Sequence, residues 1–166
     1  MQDVLKRHEG TDGMASASAR KLKVLFLCTG NSCRSQMAEG FARHLKGDII
    51  DGYSAGVEAH GLDPLAVEVM GEVGVDISHH RSKEVSEVMS IDFDYVVTMC
   101  GTAQAGCPFF PGEARLVHVG FDDPPTLAKG AGTEEKALEH YRRVRDQIKA
   151  FVETLAGSLV EYDVSN

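Results

Sequence analysis

The sequence predicts an α/β fold, a single domain with a four-stranded parallel sheet flanked by helices on both faces. Short apolar runs that end in loops alternate with segments in which apolar residues recur every three or four positions. The first pattern is typical of buried parallel strands, and the second is typical of amphipathic helices. Because strands that alternate with helices form βαβ units, the sheet should be parallel. A chain of 166 residues is long enough to bury the core of one such domain.

Four apolar runs are the predicted strands: residues 23–27, 49–54, 94–99 and 116–119. The first run is apolar along most of its length, as expected of a strand covered on both faces. In sheets of this kind, ligands bind at the carboxyl ends of the strands. Cys28, Cys100 and the pair Asp122 and Asp123 all follow predicted strands. We therefore expect one edge of the sheet to gather them.

Helical spacing of apolar residues marks three segments, and a fourth segment suits a short helix: residues 37–45, 65–73, 141–155 and 81–89. Gly47 and Gly74 follow the first two segments and are predicted helix stops. Glu134 and Glu135 fall in the first turn of the last helix, where the helix dipole favours acidic side chains.

The two ends of the chain lack this periodicity. Residues 1–20 are polar and rich in glycine, serine and alanine, so we expect a disordered N-terminal tail. Residues 157–166 are predicted to be a C-terminal tail, which leaves residues 21–156 as the folded domain.

Composition excludes several classes of protein. With a net charge of −8, the surface as a whole should not attract nucleic acid or anionic membranes. No apolar run approaches the ~20 residues of a membrane span, and the N-terminus has no secretory signal pattern. We therefore expect a monomeric cytoplasmic protein. In that compartment its four cysteines should be catalytic, metal-binding or core residues rather than structural disulfides.

The segment that follows the first strand has the composition of an anion-binding loop. Backbone N–H groups of such a loop point inward, and the helix that follows adds partial positive charge. Arg34 offers a planar fork for two oxygens of a tetrahedral oxyanion. The same field favours a thiolate, so we expect Cys28 to be a nucleophile to which Ser35 donates a hydrogen bond. The predicted anion-binding residues are Thr29, Gly30, Asn31, Ser32, Cys33 and Arg34.

Other roles for the cysteines are less consistent with the sequence. An inert Cys28, with Arg34 in a surface salt bridge, would not explain why the loop is so small and polar. A zinc site is disfavoured because the spacings Cys-x4-Cys and Cys-x6-Cys differ from the usual Cys-x2-Cys. Cys100 and Cys107 could still be two small packed apolar residues.

The stretch CTGNSCRSQMAEG resembles the low-molecular-weight tyrosine phosphatase superfamily and, within it, the arsenate reductases that thioredoxin recycles. The resemblance continues through YSAGVEAHGLDP, DYVVTMCGTAQAGCP and GFDDP, and it covers residues 21–156. It implies that Cys28 is the nucleophile, Arg34 the anion clamp and Asp123 the general acid. An acid is needed because the leaving oxygen must take a proton.

Three features favour the reductases over the phosphatases of this superfamily. Gln36 follows the Arg-Ser pair where the phosphatases typically have proline, and Pro125 stands where they commonly have tyrosine. Cys100 and Cys107 match the additional cysteine pair of the reductases. The alternatives are a small acid phosphatase and, from a different class, a non-catalytic redox sensor or arsenic-binding partner of a regulator.

The resemblance implies a relay of thiols. Attack of Cys28 on arsenate is followed by attack of Cys100 on the Cys28 sulfur, which releases arsenite and leaves a disulfide. Cys107 then attacks Cys100, and the Cys100–Cys107 disulfide passes to thioredoxin. The pair favours thioredoxin over glutaredoxin or a small thiol as reductant. The Gly- and Ala-rich segment between the two cysteines is predicted to rearrange during this transfer.

No tightly bound cofactor is expected, and a potassium site is doubtful. Some of these reductases bind potassium near the loop, and Asn31, Glu39 and Ser54 match three ligand positions. Lys83 falls at a fourth position that is usually an aspartate, so its ammonium could replace the cation and leave little potassium dependence. Cys33 is expected to be structural or neutral, and His60 to shape a neighbouring loop.

Overall fold

Four parallel strands form one sheet in the computed structural model, which describes residues 20–100 and 113–155. The strands are β1 (Leu22–Cys28), β2 (Ile50–Gly56), β3 (Tyr95–Thr98) and β4 (Arg115–His118). Their order across the sheet is β2-β1-β3-β4, and every neighbouring pair is parallel. The predicted fold class is confirmed, with all four strands near their expected positions.

The helices connect these strands. They are α1 (Arg34–Lys46), α2 (Pro64–Glu72), the 3-10 helix Val85–Val88, α3 (Pro124–Ala128) and α4 (Glu134–Glu153). The short helix α3 was not predicted, since an Asp-Pro-Pro sequence is equally typical of a turn. It forms because its two prolines occupy the first helical positions, where a backbone N–H has no partner within the helix.

Local signals set the ends of the helices. The Asp63 carboxylate accepts a hydrogen bond from the Leu65 amide at 2.9 Å and caps α2. Thr133 caps α4 in the same way through the Lys136 amide at 3.2 Å. Past the end of α2, Gly74 has a φ of +82°, a left-handed conformation that glycine adopts at little cost.

The core lies on both faces of β1. Val24 and Phe26 are fully buried in the cluster that includes side chains of α1, α2 and α4. Leu25 and Leu27 are fully buried in a second cluster on the opposite face, where Val88 of the 3-10 helix contributes. Because β1 is covered on both sides, its end is a rigid support for the loop that follows.

The carboxyl ends of β1 and β3 are neighbours. The two strands pair from Val24–Tyr95 to Leu27–Thr98, and the Met99 amide donates to the Leu27 carbonyl at 2.9 Å. Cys28 and Cys100 therefore leave adjacent strands at the same edge of the sheet, as the sequence predicted.

The predicted tails fall almost wholly outside the described residues. Arg20, the last residue of the predicted N-terminal tail, pairs with Asp94 at 2.6 Å. Within residues 20–100 and 113–155, no helix has both the length and the apolar character that a membrane span requires.

Candidate active site

The loop between β1 and α1 opens into a cavity of about 300 Å³. The residues that line this cavity come from three parts of the chain: Cys28, Thr29, Gly30, Ser32, Cys33, Arg34, His60, Asp123 and Pro125. Five of the six predicted anion-binding residues are among them. The sixth, Asn31, has no exposed surface, and its side chain instead contacts Ser35 and the Lys83 backbone.

Close packing and one strained residue give the loop its shape. Asn31 has a φ of +48°, in the left-handed region that asparagine tolerates better than most residues. A Cβ atom at Gly30 would lie 2.4 Å from Nδ1 of His60, so only glycine allows that ring to pack here. The His60 amide also donates to the Gly30 carbonyl at 2.9 Å. The predicted shaping role of His60 is consistent with these contacts, and its ring adds a wall to the cavity.

A backbone N–H group, which can only donate, determines the direction of the hydrogen bonds beneath the loop. The backbone N–H of Lys83 donates to Oδ1 of Asn31 at 2.8 Å. The Asn31 amide nitrogen therefore faces Ser35 and donates to its Oγ at 2.9 Å. Since the Ser35 oxygen accepts that bond, its own proton is free to point at the Cys28 sulfur, 2.9 Å away. A hydroxyl that donates to the sulfur stabilises negative charge on it.

Gln36 holds Asn31 in this orientation. The Nε2 group of Gln36 donates to Oδ1 of Asn31 at 2.9 Å and to the Arg81 carbonyl at 3.2 Å. The Oε1 atom of Gln36 must then accept from Nδ1 of His80 at 2.9 Å. The proton of the His80 ring is therefore on Nδ1. Burial lowers the pKa of His80, so the ring is neutral near pH 7. In the sequence Gln36 is only a family marker, and nothing in its neighbourhood indicates this supporting role.

The Arg34 guanidinium is fixed at one end and available at the other. Its NH1 group donates to the carbonyls of Met99 at 3.2 Å and Phe121 at 3.0 Å. Its NH2 group lies 3.3 Å from Oδ1 of Asp123. The buried Nε has no hydrogen-bond partner in the described part of the chain. A buried donor without a partner is costly, so the Nε and NH2 edge is suited to a bound oxyanion.

Asp123 lines the same cavity as Cys28. Besides the contact with Arg34, its Oδ2 accepts a hydrogen bond from the Thr126 hydroxyl at 2.6 Å. The neighbouring Asp122 carboxylate instead pairs with Arg143 at 3.3 Å on the surface. Of the two adjacent acids, only Asp123 is among the residues that line the cavity.

The cysteines occupy different environments. Cys33 is buried, and burial raises the pKa of its thiol well above the usual value, which suits the neutral role predicted for it. Cys100 is also buried and lies two residues past the end of β3. Cys107 and the segment predicted to rearrange lie in residues 101–112, outside the described residues. Among residues 20–100 and 113–155, no group of three or more His, Cys, Asp or Glu is placed to hold a metal ion.

A buried carboxylate lies on the side of α1 that faces β2. The Glu39 side chain is only 5% exposed and accepts a short hydrogen bond from the Ser54 hydroxyl. One of its oxygens pairs with Arg43 at 2.9 Å, and the other lies 3.9 Å from Nζ of Lys83.

A tyrosine that the sequence analysis did not single out supports the loop from α4. The Tyr141 hydroxyl donates to the Asp63 carboxylate at 2.6 Å, and the Asp63 amide donates to the Ser32 carbonyl at 3.0 Å. Burial and this bond raise the pKa of Tyr141, so the phenol stays protonated. Tyr141 belongs to the apolar stripe of α4, and nothing in that pattern distinguishes it from a core residue.

Comparisons with known proteins find a matching family model and similar sequences. Residues 23–165 match the model of the low molecular weight phosphotyrosine protein phosphatases. The chain is 49% identical over 137 residues to arsenate reductase 1 of Staphylococcus epidermidis, which covers 82% of this chain and 97% of that protein.

Solved structures are similar as well. One is described as an arsenate reductase in the phosphate binding state, with a TM-score of 0.67, 35% identity and coverage of 82% of this chain and 98% of that one. Another is a thioredoxin-dependent arsenate reductase of Corynebacterium glutamicum, with a TM-score of 0.59, 27% identity and coverage of 85% of this chain and 65% of that one.

Proposed function

The chain belongs to the low molecular weight phosphotyrosine protein phosphatase family, and we propose that it is an arsenate reductase that draws electrons from thioredoxin. The observation that carries the proposal is the combination of an anion-binding loop above Cys28 with a second cysteine, Cys100, at the same edge of the sheet. A phosphatase needs only the first of these. The similarity to arsenate reductases, one of them thioredoxin-dependent, supports the same function.

Arsenate binds first, in the cavity above the loop. It is a tetrahedral oxyanion, and the Nε and NH2 edge of Arg34, whose Nε has no hydrogen-bond partner among the described residues, can hold two of its oxygens. The backbone N–H groups of the loop and the start of α1 favour the same negative charge. In the unliganded protein the NH2 group of Arg34 contacts the Asp123 carboxylate. A bound anion would replace the carboxylate in that contact.

The first chemical step makes a bond between sulfur and arsenic. The Cys28 thiolate attacks As(V), and one arsenate oxygen leaves as water after it receives a proton from Asp123. The Ser35 hydroxyl, 2.9 Å from the sulfur, supports the thiolate before the attack. No electrons have yet been transferred, so arsenic remains As(V) in this adduct.

The second step transfers the electrons. Cys100 attacks the Cys28 sulfur, the electron pair of the sulfur–arsenic bond stays on arsenic, and arsenite leaves as As(III). The product is a Cys28–Cys100 disulfide, which Cys107 converts to Cys100–Cys107 while it frees Cys28. Thioredoxin then supplies two electrons to reduce that disulfide. Arg34 of the loop donates to the carbonyl of Met99, the residue just before Cys100. This contact supports a position of Cys100 close to the loop.

A coupled assay tests this function. The native chain, with arsenate, thioredoxin, thioredoxin reductase and NADPH, should oxidise one NADPH for each arsenite formed. Omission of arsenate should stop the oxidation, and exchange of thioredoxin for glutaredoxin should reduce it strongly. Hydrolysis of an aryl phosphate without any arsenate-dependent loss of NADPH would overturn the proposal in favour of the phosphatase.

Replacement of Arg34 by lysine should weaken catalysis while the charge is kept. Lysine cannot offer two parallel N–H groups, so one charge-assisted hydrogen bond, worth about 1.5–3 kcal/mol, is lost. We expect kcat/KM for arsenate to fall roughly 10- to 150-fold. The inhibition constant of phosphate should rise by a similar factor. The control is Arg143→Lys, a surface arginine whose partner Asp122 does not line the cavity. Equal effects of the two substitutions would contradict a bidentate role of Arg34.

A further inference from the structure

We propose that the Lys83 ammonium is a built-in cation that holds the Glu39 carboxylate beneath the loop and lets the loop bind its oxyanion without a bound potassium ion. This inference deepens the proposed function and rests on it only for the identity of the oxyanion. Some reductases of this kind bind potassium near the loop, and the chain departs from their ligand positions at Lys83.

Of the side chains that match potassium ligand positions, Asn31 and Glu39 have oxygens that already accept hydrogen bonds. Oδ1 of Asn31 accepts from the Lys83 backbone N–H at 2.8 Å and from Gln36 at 2.9 Å. The Ser54 hydroxyl donates to Glu39. A cation would have to displace these donors and the nearby ammonium, so the residues present do not fit a potassium site.

Glu39 needs a second positive partner. A carboxylate that is only 5% exposed is strongly destabilising unless it is paired and hydrogen-bonded. Arg43 pairs with one of its oxygens, but the arginine side chain is 53% exposed, and solvent weakens that pair. The Lys83 side chain is 18% exposed, and its Nζ lies 3.9 Å from the other oxygen.

The ammonium is held in place by more than this charge. Nζ of Lys83 donates to the Arg81 carbonyl at 3.1 Å, which keeps the side chain against the protein. Burial lowers the pKa of Lys83, whereas the charge of Glu39 acts in the opposite direction. Arg43, Arg81 and Glu87 are the other charged groups that act on it, and Arg81 and Glu87 pair with each other at 2.9 Å.

Lys83 connects this charge to the catalytic loop through its backbone. Its N–H fixes the amide of Asn31, and its carbonyl accepts from the Gly56 amide at 2.9 Å. The Asn31 amide in turn directs the Ser35 hydroxyl towards Cys28. Loss of the ammonium would leave Glu39 with only the exposed Arg43 as a positive partner, and the segment that orders Asn31 would shift.

The test compares the native chain with Lys83→Ala in potassium chloride and in N-methylglucamine chloride at equal ionic strength. Two quantities are measured without any turnover: the affinity for inorganic phosphate and the midpoint of thermal unfolding. The native chain should give the same values in both salts. Lys83→Ala should bind phosphate roughly five- to thirtyfold more weakly in N-methylglucamine, and potassium or ammonium should restore much of that loss.

The matched control is Lys149→Ala, which removes an ammonium from an exposed pair on α4 and should respond to neither salt. Marked stabilisation or tighter phosphate binding of the native chain by potassium would overturn the proposal. So would a Lys83→Ala variant whose phosphate affinity is unchanged in N-methylglucamine. If that variant does not fold, the response of the native chain to potassium still decides. Because phosphate binding needs no electron transfer, these results are independent of whether the chain reduces arsenate.

Discussion

Cys28→Ser is expected to abolish arsenate turnover. The variant loses the sulfur that lies 2.9 Å from the Ser35 hydroxyl. This sulfur lines the cavity together with Arg34 and Asp123. A serine hydroxyl is a far weaker nucleophile near neutral pH, and removal of a catalytic nucleophile typically costs roughly 10⁴- to 10⁶-fold in rate. The measurement is arsenate-dependent oxidation of NADPH in the coupled assay.

Binding and folding should survive this substitution. Arg34 and the backbone N–H groups of the loop remain, so phosphate should still bind to Cys28→Ser. The control is Cys33→Ser, which should keep substantial activity because the predicted contribution of that residue is its backbone N–H and not its thiol. Turnover by Cys28→Ser, or its complete loss in Cys33→Ser with phosphate binding intact, would mean that the nucleophile has been misassigned.

Cys107→Ser is expected to make one arsenite per protein and then stop. The variant keeps the nucleophile and Cys100, so the sulfur–arsenic bond can still be broken with transfer of two electrons. Without the third thiol, the Cys28–Cys100 disulfide has no intramolecular route to thioredoxin. Rapid mixing with excess arsenate should show a stoichiometric burst of arsenite, followed by a rate far below that of the native chain.

Cys100→Ser separates the two halves of the relay. This variant can form the Cys28–arsenic adduct but has no neighbouring thiol to break it, so we expect no burst of arsenite. A burst of equal size in Cys100→Ser and Cys107→Ser would contradict the order of attack. Sustained turnover by either variant would contradict the relay itself.

The fold could be predicted because its signals are local. The apolar run at residues 23–27 became β1, whose residues Val24 to Leu27 have no exposed surface. Asp63 and Thr133 cap helices within two or three residues of their own positions. Cys28 and Arg34 could be identified for the same reason, since a strand, a small polar loop and a helix follow one another directly.

The support beneath the loop could not be predicted, because its partners are distant in sequence. Gln36 and His80 are separated by 44 positions, and Asn31 is separated from Lys83 by 52. A polar residue at a helical position gives no signal of whether it will be buried, and Gln36 is fully buried. The contact of Arg34 with the Phe121 carbonyl likewise depends on where the sheet, with β3 between β1 and β4, places the segment that follows β4.

The relay through Cys100 is the central claim, and mapping the disulfide of Cys107→Ser tests it most directly. The reduced variant is exposed to one equivalent of arsenate, alkylated, digested and examined by mass spectrometry. We predict a peptide in which Cys28 is linked to Cys100, formed in the same amount as the arsenite released. Arsenite released with both cysteines still alkylated, or with Cys28 linked to Cys33 instead, would contradict the account.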